Sequence, residues 1–81
     1  MKLPRDISGA DLVKGLQQFG YEITRQRGSH IRLTTQLNGE HHVTVPNHEH
    51  IRVGTLSDIL VAVAGHLEVS KDEIATALFG P

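Results

Sequence analysis

The sequence predicts an α+β fold in which a three-stranded antiparallel sheet carries helices on one face only. Apolar and polar residues alternate through the middle of the chain, between residues 21 and 46, as in half-buried strands. On both sides of this region the apolar residues recur at helical spacing instead. Gly28-Ser29 and Asn38-Gly39 divide the alternating region with turns so short that neighbouring strands must run antiparallel. The length of 81 residues is that of a single domain, residues 1–81.

The first helix is expected over residues 9–19. Ser8 is a typical N-cap, and Asp11 places a negative charge in the first turn, where the helix dipole favours it. Apolar residues follow at helical spacing at Leu12, Leu16 and Phe19, with Val13 beside them. Gly20 stands where a left-handed C-terminal cap is expected, so the helix should end there.

The first hairpin joins strand one, Tyr21–Gln26, to strand two, residues 30–36. A two-residue turn at Gly28-Ser29 would place Ile23 on the same face as Thr34 and expose the apolar side chain. A three-residue loop, Arg27–Ser29, places Ile23 opposite Leu33, and it also pairs Thr24 with Arg32 and Gln26 with His30. We therefore expect the three-residue loop.

The second hairpin leads into strand three, residues 40–46, and the same reasoning applies to it. A three-residue loop, Leu37–Gly39, pairs Leu33 with Val43, and Gly39 then takes a positive φ. The covered face should hold Tyr21, Ile23, Ile31, Leu33, Val43 and Val45. The open face should hold Glu22, Thr24, Gln26, His30, Arg32, Thr34, His42 and Thr44.

Two more helices are expected after Pro46, which ends strand three. Residues 47–54 read as a loop, and Thr55 is the expected cap of a helix over residues 56–67. Its apolar face would consist of Leu56, Ile59, Leu60, Val63 and Leu67. Ser70 and Glu73 form a capping-box pattern for a short helix over residues 71–79, which Gly80 should end.

The formal net charge of −1 argues against a protein that binds nucleic acid over its whole surface. The charges are distributed unevenly, however. Residues 1–35 carry six basic and three acidic side chains, a balance of +3, whereas residues 36–81 carry two basic and six acidic ones, a balance of −4. The basic half contains the Gly-Ser-His turn, which is compatible with a polyanion bound locally.

The composition favours a cytoplasmic protein. The chain contains no cysteine, so neither a disulfide nor a thiolate metal site is available to stabilise it. No apolar run follows the charges of the first residues, so we expect no signal peptide, and no stretch approaches the length of a membrane span.

The stretch Arg27–Leu33 carries the clearest chemistry. In a strand, Ile31 and Leu33 point to one face, whereas His30 and Arg32 point to the other. An imidazole titrates near neutral pH, so His30 is a candidate general base or acid for RNA cleavage by the RNA's own 2′-hydroxyl, and Arg32 is a candidate phosphate ligand. The product would be a 2′,3′-cyclic phosphate, and neither a metal nor another cofactor is required. The alternative is that this stretch forms a surface hairpin with ordinary polar residues outside.

A second proton-transfer group is less well defined by the sequence. Because His30 is expected opposite Pro46, His48 should lie nearby, and we take it as the candidate. The alternative is that His48 only caps the loop.

Several segments together resemble the HicA (YcfA-like) family of type II toxin–antitoxin toxins. They are Gly20-Tyr21, Arg25–His30, Val43–His48, and Val53–Leu56 followed by Ile59-Leu60. The resemblance covers about residues 1–67. It implies a fold resembling double-stranded RNA-binding domains, ribonuclease activity on messenger RNA, and a HicB antitoxin as partner. It also implies that the histidine of Gly-Ser-His, His30, is catalytic.

The remaining basic side chains complete the predicted RNA-binding set. Around the turn it includes Arg25, Arg27, Gly28, Ser29 and Arg32. Lys2, Arg5 and Lys14 are either further phosphate contacts or ordinary solvated charges. Two other functions stay open, a non-catalytic RNA-binding module and a protein-interaction domain.

For the other histidines of the strand and loop, the favoured interpretation is ordinary polar side chains, with a metal site as the alternative. His48 and His50, with either His41 or His42, could form a metal site, but adjacent strand residues point to opposite faces, so at most one of the latter pair could join. His66 is expected to complement the dipole at the end of its helix.

Overall fold

The computed structural model describes residues 3–80 and has the predicted α+β architecture. Helix α1 and a 3₁₀ turn precede the three strands, and two helices follow them. The bounds are α1 Gly9–Leu16, the 3₁₀ turn Gln17–Phe19, β1 Glu22–Arg27, β2 His30–Thr35, β3 His41–Pro46, α2 Val53–Leu67 and α3 Lys71–Phe79. The strands form one antiparallel sheet in the order β1-β2-β3.

The caps of α1 and α3 confirm the sequence signals. The Ser8 hydroxyl accepts the Asp11 N–H at 3.0 Å, and the Asp11 carboxylate accepts the Ser8 N–H at 3.5 Å, which completes a capping box. The predicted helix 9–19 is α-helical only to Leu16, and Gly20 then adopts a left-handed φ of 80°. Ser70 caps α3 through its hydroxyl, which accepts the Glu73 N–H at 3.0 Å, but the described residues show no reciprocal bond from the Glu73 side chain, so the predicted capping box is only half formed.

The predicted start of α2 at Thr55 is wrong. The helix begins at Val53, with Arg52 as an N-cap whose side chain makes no capping hydrogen bond. Ile51, just before it, is 2% exposed, and its N–H donates to the Ile7 carbonyl at 2.9 Å. Because tertiary contacts fix the chain at this point, the helix starts there despite the better capping residue that follows.

The second hairpin has the predicted register. Leu33 pairs with Val43, and Ile31 pairs with Val45. The ladder ends with the pair of Thr35 and His41, so residues 36–40 connect the strands and the predicted three-residue loop, Leu37–Gly39, is too short. Gly39 has the expected positive φ, 96°, and Asn38 also has a positive φ, 57°.

The first hairpin differs from the prediction. Its turn contains only Gly28 and Ser29, and Arg27 pairs directly with His30, so the predicted three-residue loop is wrong. Ile23 nevertheless pairs with Leu33, as predicted, because a β-bulge at Thr24 absorbs the extra residue.

The bulge changes the pairing and the faces of β1. The predicted pairs Thr24 with Arg32 and Gln26 with His30 are replaced by Arg25 with Arg32 and Gln26 with Ile31. Gln26 therefore does not share the open face with His30, which is where the sequence had placed it.

The core lies between the covered face of the sheet and the helices. Among the residues that are buried completely are Leu12, Leu16, Tyr21, Leu33, Val45, Leu56, Leu60 and Val63. The exception to the predicted face is Ile23, which is 49% exposed and lies on β1, a strand whose six residues are all exposed. The buried hydroxyl of Thr35 is satisfied, since it donates to the Phe19 carbonyl at 3.0 Å.

No single helix within residues 3–80 is long and apolar enough to cross a membrane. Only α2 and α3 taken together reach that length and composition, and a bend of 114° separates them.

Candidate functional site

A cleft of about 160 Å³ on the open face of the sheet brings together four of the ten predicted site residues. Its walls are Arg25, Arg27, His30, Arg32 and Thr44, and all five side chains are exposed. Three guanidinium groups therefore surround one imidazole, and none of them forms an ion pair within the described residues. Such a concentration of fixed positive charge favours a phosphate as occupant.

The bulge at Thr24 brings two of these arginines to the cleft. Because Arg27 pairs with His30 and Arg25 pairs with Arg32, all four side chains project from the same face. In the predicted register, a regular ladder would have turned Arg25 toward the covered face and left Arg27 in the loop. Four of the five cleft residues are therefore among the predicted site residues, but the predicted pairing of β1 that was to place them is wrong.

The β1–β2 turn holds His30 at the edge of the cleft. Gly28 has a φ of 56°, and no other residue of the turn has a positive φ, which is the pattern of a two-residue type II′ turn with glycine first. The Ser29 carbonyl accepts the Asn47 N–H at 2.7 Å, so the chain after β3 is tied to the residue just before His30.

The start of α1 anchors that same chain from the other side. The Gly9 N–H donates to the His48 carbonyl at 2.9 Å. A Cβ on Gly9 would lie 2.2 Å from the Pro46 oxygen, so only glycine allows this approach. Together with the Asn47 bond, this contact fixes the position of the segment that carries His48.

His48 is exposed and follows directly on the segment tied to the turn. The expected pairing of His30 with Pro46 is present, which places the two histidines on adjoining segments. His48 is not among the residues that line the cleft, and its role stays a prediction.

The more distant basic residues do not gather at the cleft. Lys14 is exposed on α1, which packs against the covered face, and Arg5 is exposed in the segment before α1. Neither lines the cleft. Lys2 lies outside the described residues.

The structure also reveals a hydrogen-bonded chain on the open face that the sequence did not indicate. His42 Nε2 lies 3.0 Å from the Glu40 carboxylate, and Nδ1 lies 2.7 Å from Thr34 Oγ1. Thr34 Oγ1 in turn lies 2.8 Å from Thr24 Oγ1. In the neutral imidazole, Nε2 donates to the carboxylate and Nδ1 accepts from the hydroxyl. Alternation had placed these three strand residues on one face, but not in contact.

A second histidine pair holds the β2–β3 turn against α2. The rings of His41 and His66 are stacked with centroids 4.3 Å apart and planes 10° from parallel. His66 Nε2 donates to the carbonyls of Leu37 and Gly39 at 2.8 and 2.9 Å, so its role is to dock the turn, beyond the predicted dipole interaction.

Burial shifts the pKa values of His41 and of Tyr21, which is hydrogen-bonded to it. His41 Nδ1 lies 2.8 Å from the Tyr21 hydroxyl, and burial raises the pKa of Tyr21 to about 12. The pKa of His41 is lowered, first by burial and then by the nearby charges of His66 and His42. Both groups are therefore neutral near pH 7, and the tyrosine hydroxyl can donate a hydrogen bond to the imidazole nitrogen.

Within residues 3–80, no three histidine, aspartate or glutamate side chains are grouped so that they could hold a metal ion. His41 and His42, adjacent on β3, point to opposite faces, as expected for a strand. Each is engaged in the contacts described above.

Comparison with known proteins gives one family. Residues 9–65, more than two thirds of the chain, match the model described as the HicA toxin of bacterial toxin–antitoxin systems. The matched range contains all five residues of the cleft and ends before α3. Searches of curated proteins and of solved structures gave no match.

Proposed function

Since the chain belongs to the HicA toxin family of bacterial toxin–antitoxin systems, we propose that it is an endoribonuclease that cuts messenger RNA. The observation that carries the proposal is the position of His30, a group able to transfer protons at neutral pH, among three arginines on one open surface. A phosphodiester held by the arginines would lie within reach of the imidazole.

The reaction uses a nucleophile that RNA itself supplies. His30 removes the proton of a 2′-hydroxyl, the oxygen attacks the adjacent phosphorus, and the bond to the 5′-oxygen breaks. Arg25, Arg27 and Arg32 neutralise the charge that grows on the phosphoryl oxygens. The products are a 2′,3′-cyclic phosphate and a free 5′-hydroxyl. Because nucleophile, base and charge stabilisation are all available, no metal or organic cofactor is needed.

The leaving 5′-oxygen needs a proton, and His48 is the proposed donor. Its segment is fixed beside the β1–β2 turn through Asn47 and Gly9, which supports the assignment. A solvent water is the competing donor. The His48→Ala variant should therefore lose part of the cleavage rate, but less than the His30→Ala variant loses.

A HicB-type antitoxin is the proposed partner, and the cytoplasm, where messenger RNA is translated, is the proposed location. All residues of the cleft are exposed, so a partner could silence the enzyme by covering His30 without changing the fold. The expected inhibition is steric.

The test is cleavage of a defined RNA by the purified protein and by the His30→Ala variant. General acid–base catalysis is worth about 10²- to 10⁴-fold, so the variant should be slower by that factor. His50→Ala is the matched control, since His50 is an exposed loop histidine outside the cleft.

Both variants should keep the melting temperature of the wild type, because neither side chain is buried. Equal cleavage by wild type and His30→Ala would contradict the proposal. RNA binding without cleavage by the wild type would favour the non-catalytic module instead.

A further inference from the structure

A second groove lies on the open face, next to the arginine cleft, and the proposed reaction does not use it. Its lining includes Glu22, Thr24, Thr34, Gln36 and Leu37. It differs from the arginine cleft in having more apolar surface and no cationic side chain.

The two depressions are consecutive along the strands. Thr34 follows Arg32 by two residues on β2, a distance of about 7 Å along an extended strand. On β1, Thr24 is the bulged residue directly before Arg25. An RNA strand whose phosphate sits among the arginines would therefore place a neighbouring nucleotide at the groove.

The charge of the groove determines which part of that nucleotide fits. The Glu22 carboxylate can only accept hydrogen bonds, and it repels a phosphate. Within residues 3–80 its side chain forms no ion pair. Leu37, which is 52% exposed, adds an apolar wall. A flat ring with N–H groups on its edge is complementary to this combination, and a nucleobase has both features.

The hydrogen-bonded chain on the open face gives the groove an ordered wall. The Thr24 and Thr34 hydroxyls are held by each other and by His42, which the Glu40 carboxylate holds in turn. Their positions are therefore set before any ligand binds, which lowers the entropic cost of binding.

We propose that this groove binds the base beside the scissile phosphate and selects guanine through Glu22. Guanine is the base whose Watson–Crick edge presents two adjacent N–H donors, at N1 and N2, to a single carboxylate. Adenine and cytosine offer one amino group beside an acceptor nitrogen, which the carboxylate would repel. The inference rests on the proposed function, since it assumes that the arginine cleft holds an RNA phosphate.

The experiment measures RNA binding by the His30→Ala variant, which keeps the RNA intact. The probes are uridine-rich octamers with one central guanine, adenine or cytosine, followed by fluorescence anisotropy. A two-hydrogen-bond contact to a base discriminates by roughly 5- to 100-fold, so the guanine octamer should bind more tightly by a factor in that range.

The deciding variant adds Glu22→Gln, and Asp58→Asn is the control. Asp58 is exposed on α2, away from the groove, and its replacement changes the net charge equally. Glu22→Gln should abolish the preference for guanine, whereas Asp58→Asn should keep it. Equal strengthening of all three octamers by Glu22→Gln would mean simple charge repulsion, and would overturn the inference. The absence of a guanine preference before the change would also overturn it.

Cleavage by the wild type separates this result from the proposed function. If the wild type cleaves RNA but binding shows no preference for guanine, the base subsite is refuted and the proposed nuclease function is kept. If Glu22→Gln abolishes a guanine preference but the wild type does not cut RNA, the proposed nuclease function is refuted and the base subsite is kept.

Discussion

The two hairpins of the sheet share strand β2, yet they solve the same register problem in different ways. The β2–β3 hairpin reaches its apolar pairing with a longer loop and a regular ladder. The β1–β2 hairpin uses a two-residue turn and a bulge at Thr24. The regular hairpin contributes paired core residues, and the bulged hairpin contributes the arginines of the cleft.

The difference shows what burial controls in each hairpin. Val43 and Val45 are both buried, so a slip of one residue on β3 would expose two core side chains. β1 has a single apolar residue, Ile23, and it is half exposed. The register of β1 is therefore weakly constrained by the core, and turn chemistry at Gly28 decides it locally.

The largest expected contrast lies within one cross-strand pair of the bulged hairpin. Leu33 is completely buried, whereas its partner Ile23 is 49% exposed. Leu33→Ala should lower the free energy of unfolding by about 2–5 kcal/mol, and Ile23→Ala by about 0.5 kcal/mol. Urea denaturation measures both values. Similar losses for the two variants would show that β1 is held by the core after all.

Disturbing the contact between α1 and the end of β3 should also lower the free energy of unfolding. Gly9→Ala puts a Cβ against the Pro46 carbonyl, and the strain should cost about 1–3 kcal/mol. Gly65→Ala is the matched control, because nothing lies within 4 Å of its Cβ position in α2. That variant should gain about 1 kcal/mol from helix propensity. Thermal melting of both variants checks this, and a neutral Gly9→Ala would contradict the close contact.

The regular hairpin should make stability dependent on pH. The folded state lowers the pKa of His41 below its ordinary 6.5, so the unfolded chain binds more protons in this range. The contribution of His41 to stability is therefore fully present above pH 6.5. It is lost as the pH falls from that value toward the lowered pKa. The urea midpoint should drop between about pH 7.5 and 5.5.

A His41→Phe variant should flatten that decline, and His50→Ala should leave it unchanged. His50 is exposed in the loop after β3 and takes no part in the stacked pair. An unaltered pH dependence in His41→Phe would assign the effect to other groups.

The bulged hairpin should instead govern the salt dependence of RNA binding. Arg25→Gln should weaken binding and reduce the slope of log affinity against log salt by about 0.7, the value for one contact with a single-stranded phosphate. Lys14→Gln removes the same charge from α1 and should leave the slope unchanged. Equal effects would mean that the arginine cleft has no special role.

The smallest effect is expected from deleting Thr24. Deletion leaves a regular ladder with the same partners, Ile23 with Leu33 and Arg25 with Arg32. Stability should change by about 1 kcal/mol or less, since the Thr24 hydroxyl loses two exposed hydrogen bonds, to Thr34 and to the Arg32 carbonyl, while a bulge is removed. Thermal melting tests this, and a loss of several kcal/mol would show that the bulge itself stabilises the sheet.

The sequence predicted the architecture because its signals there were redundant. Two cap patterns, Ser8 with Asp11 and Ser70 with Glu73, each define the start of a helix. The two buried valines of β3 allow only one register for that strand. The turn at Gly28 had two conflicting signals, a two-residue turn motif and an apolar register. The structure satisfies both signals with the β-bulge at Thr24, which no residue type in the sequence predicts.

The candidate site shows the same division. His30 and Arg32 could be placed on the open face from alternation within one strand. The position of Arg25 and Arg27 at the cleft depends on the bulge. The hydrogen-bonded series of side chains from Glu40 to Thr24 depends on rotamers across three strands. The stacking of His41 on His66 joins residues that are 25 positions apart, for which alternation carries no signal.

The most direct measurement is the cleavage of one RNA and of the same RNA with 2′-deoxyribose at the cut position, followed by analysis of the product ends. Removal of the 2′-hydroxyl should abolish the cut, and the unmodified RNA should yield a 2′,3′-cyclic phosphate even in the presence of a chelator. Continued cleavage of the deoxy-substituted RNA would contradict a mechanism in which His30 activates that hydroxyl.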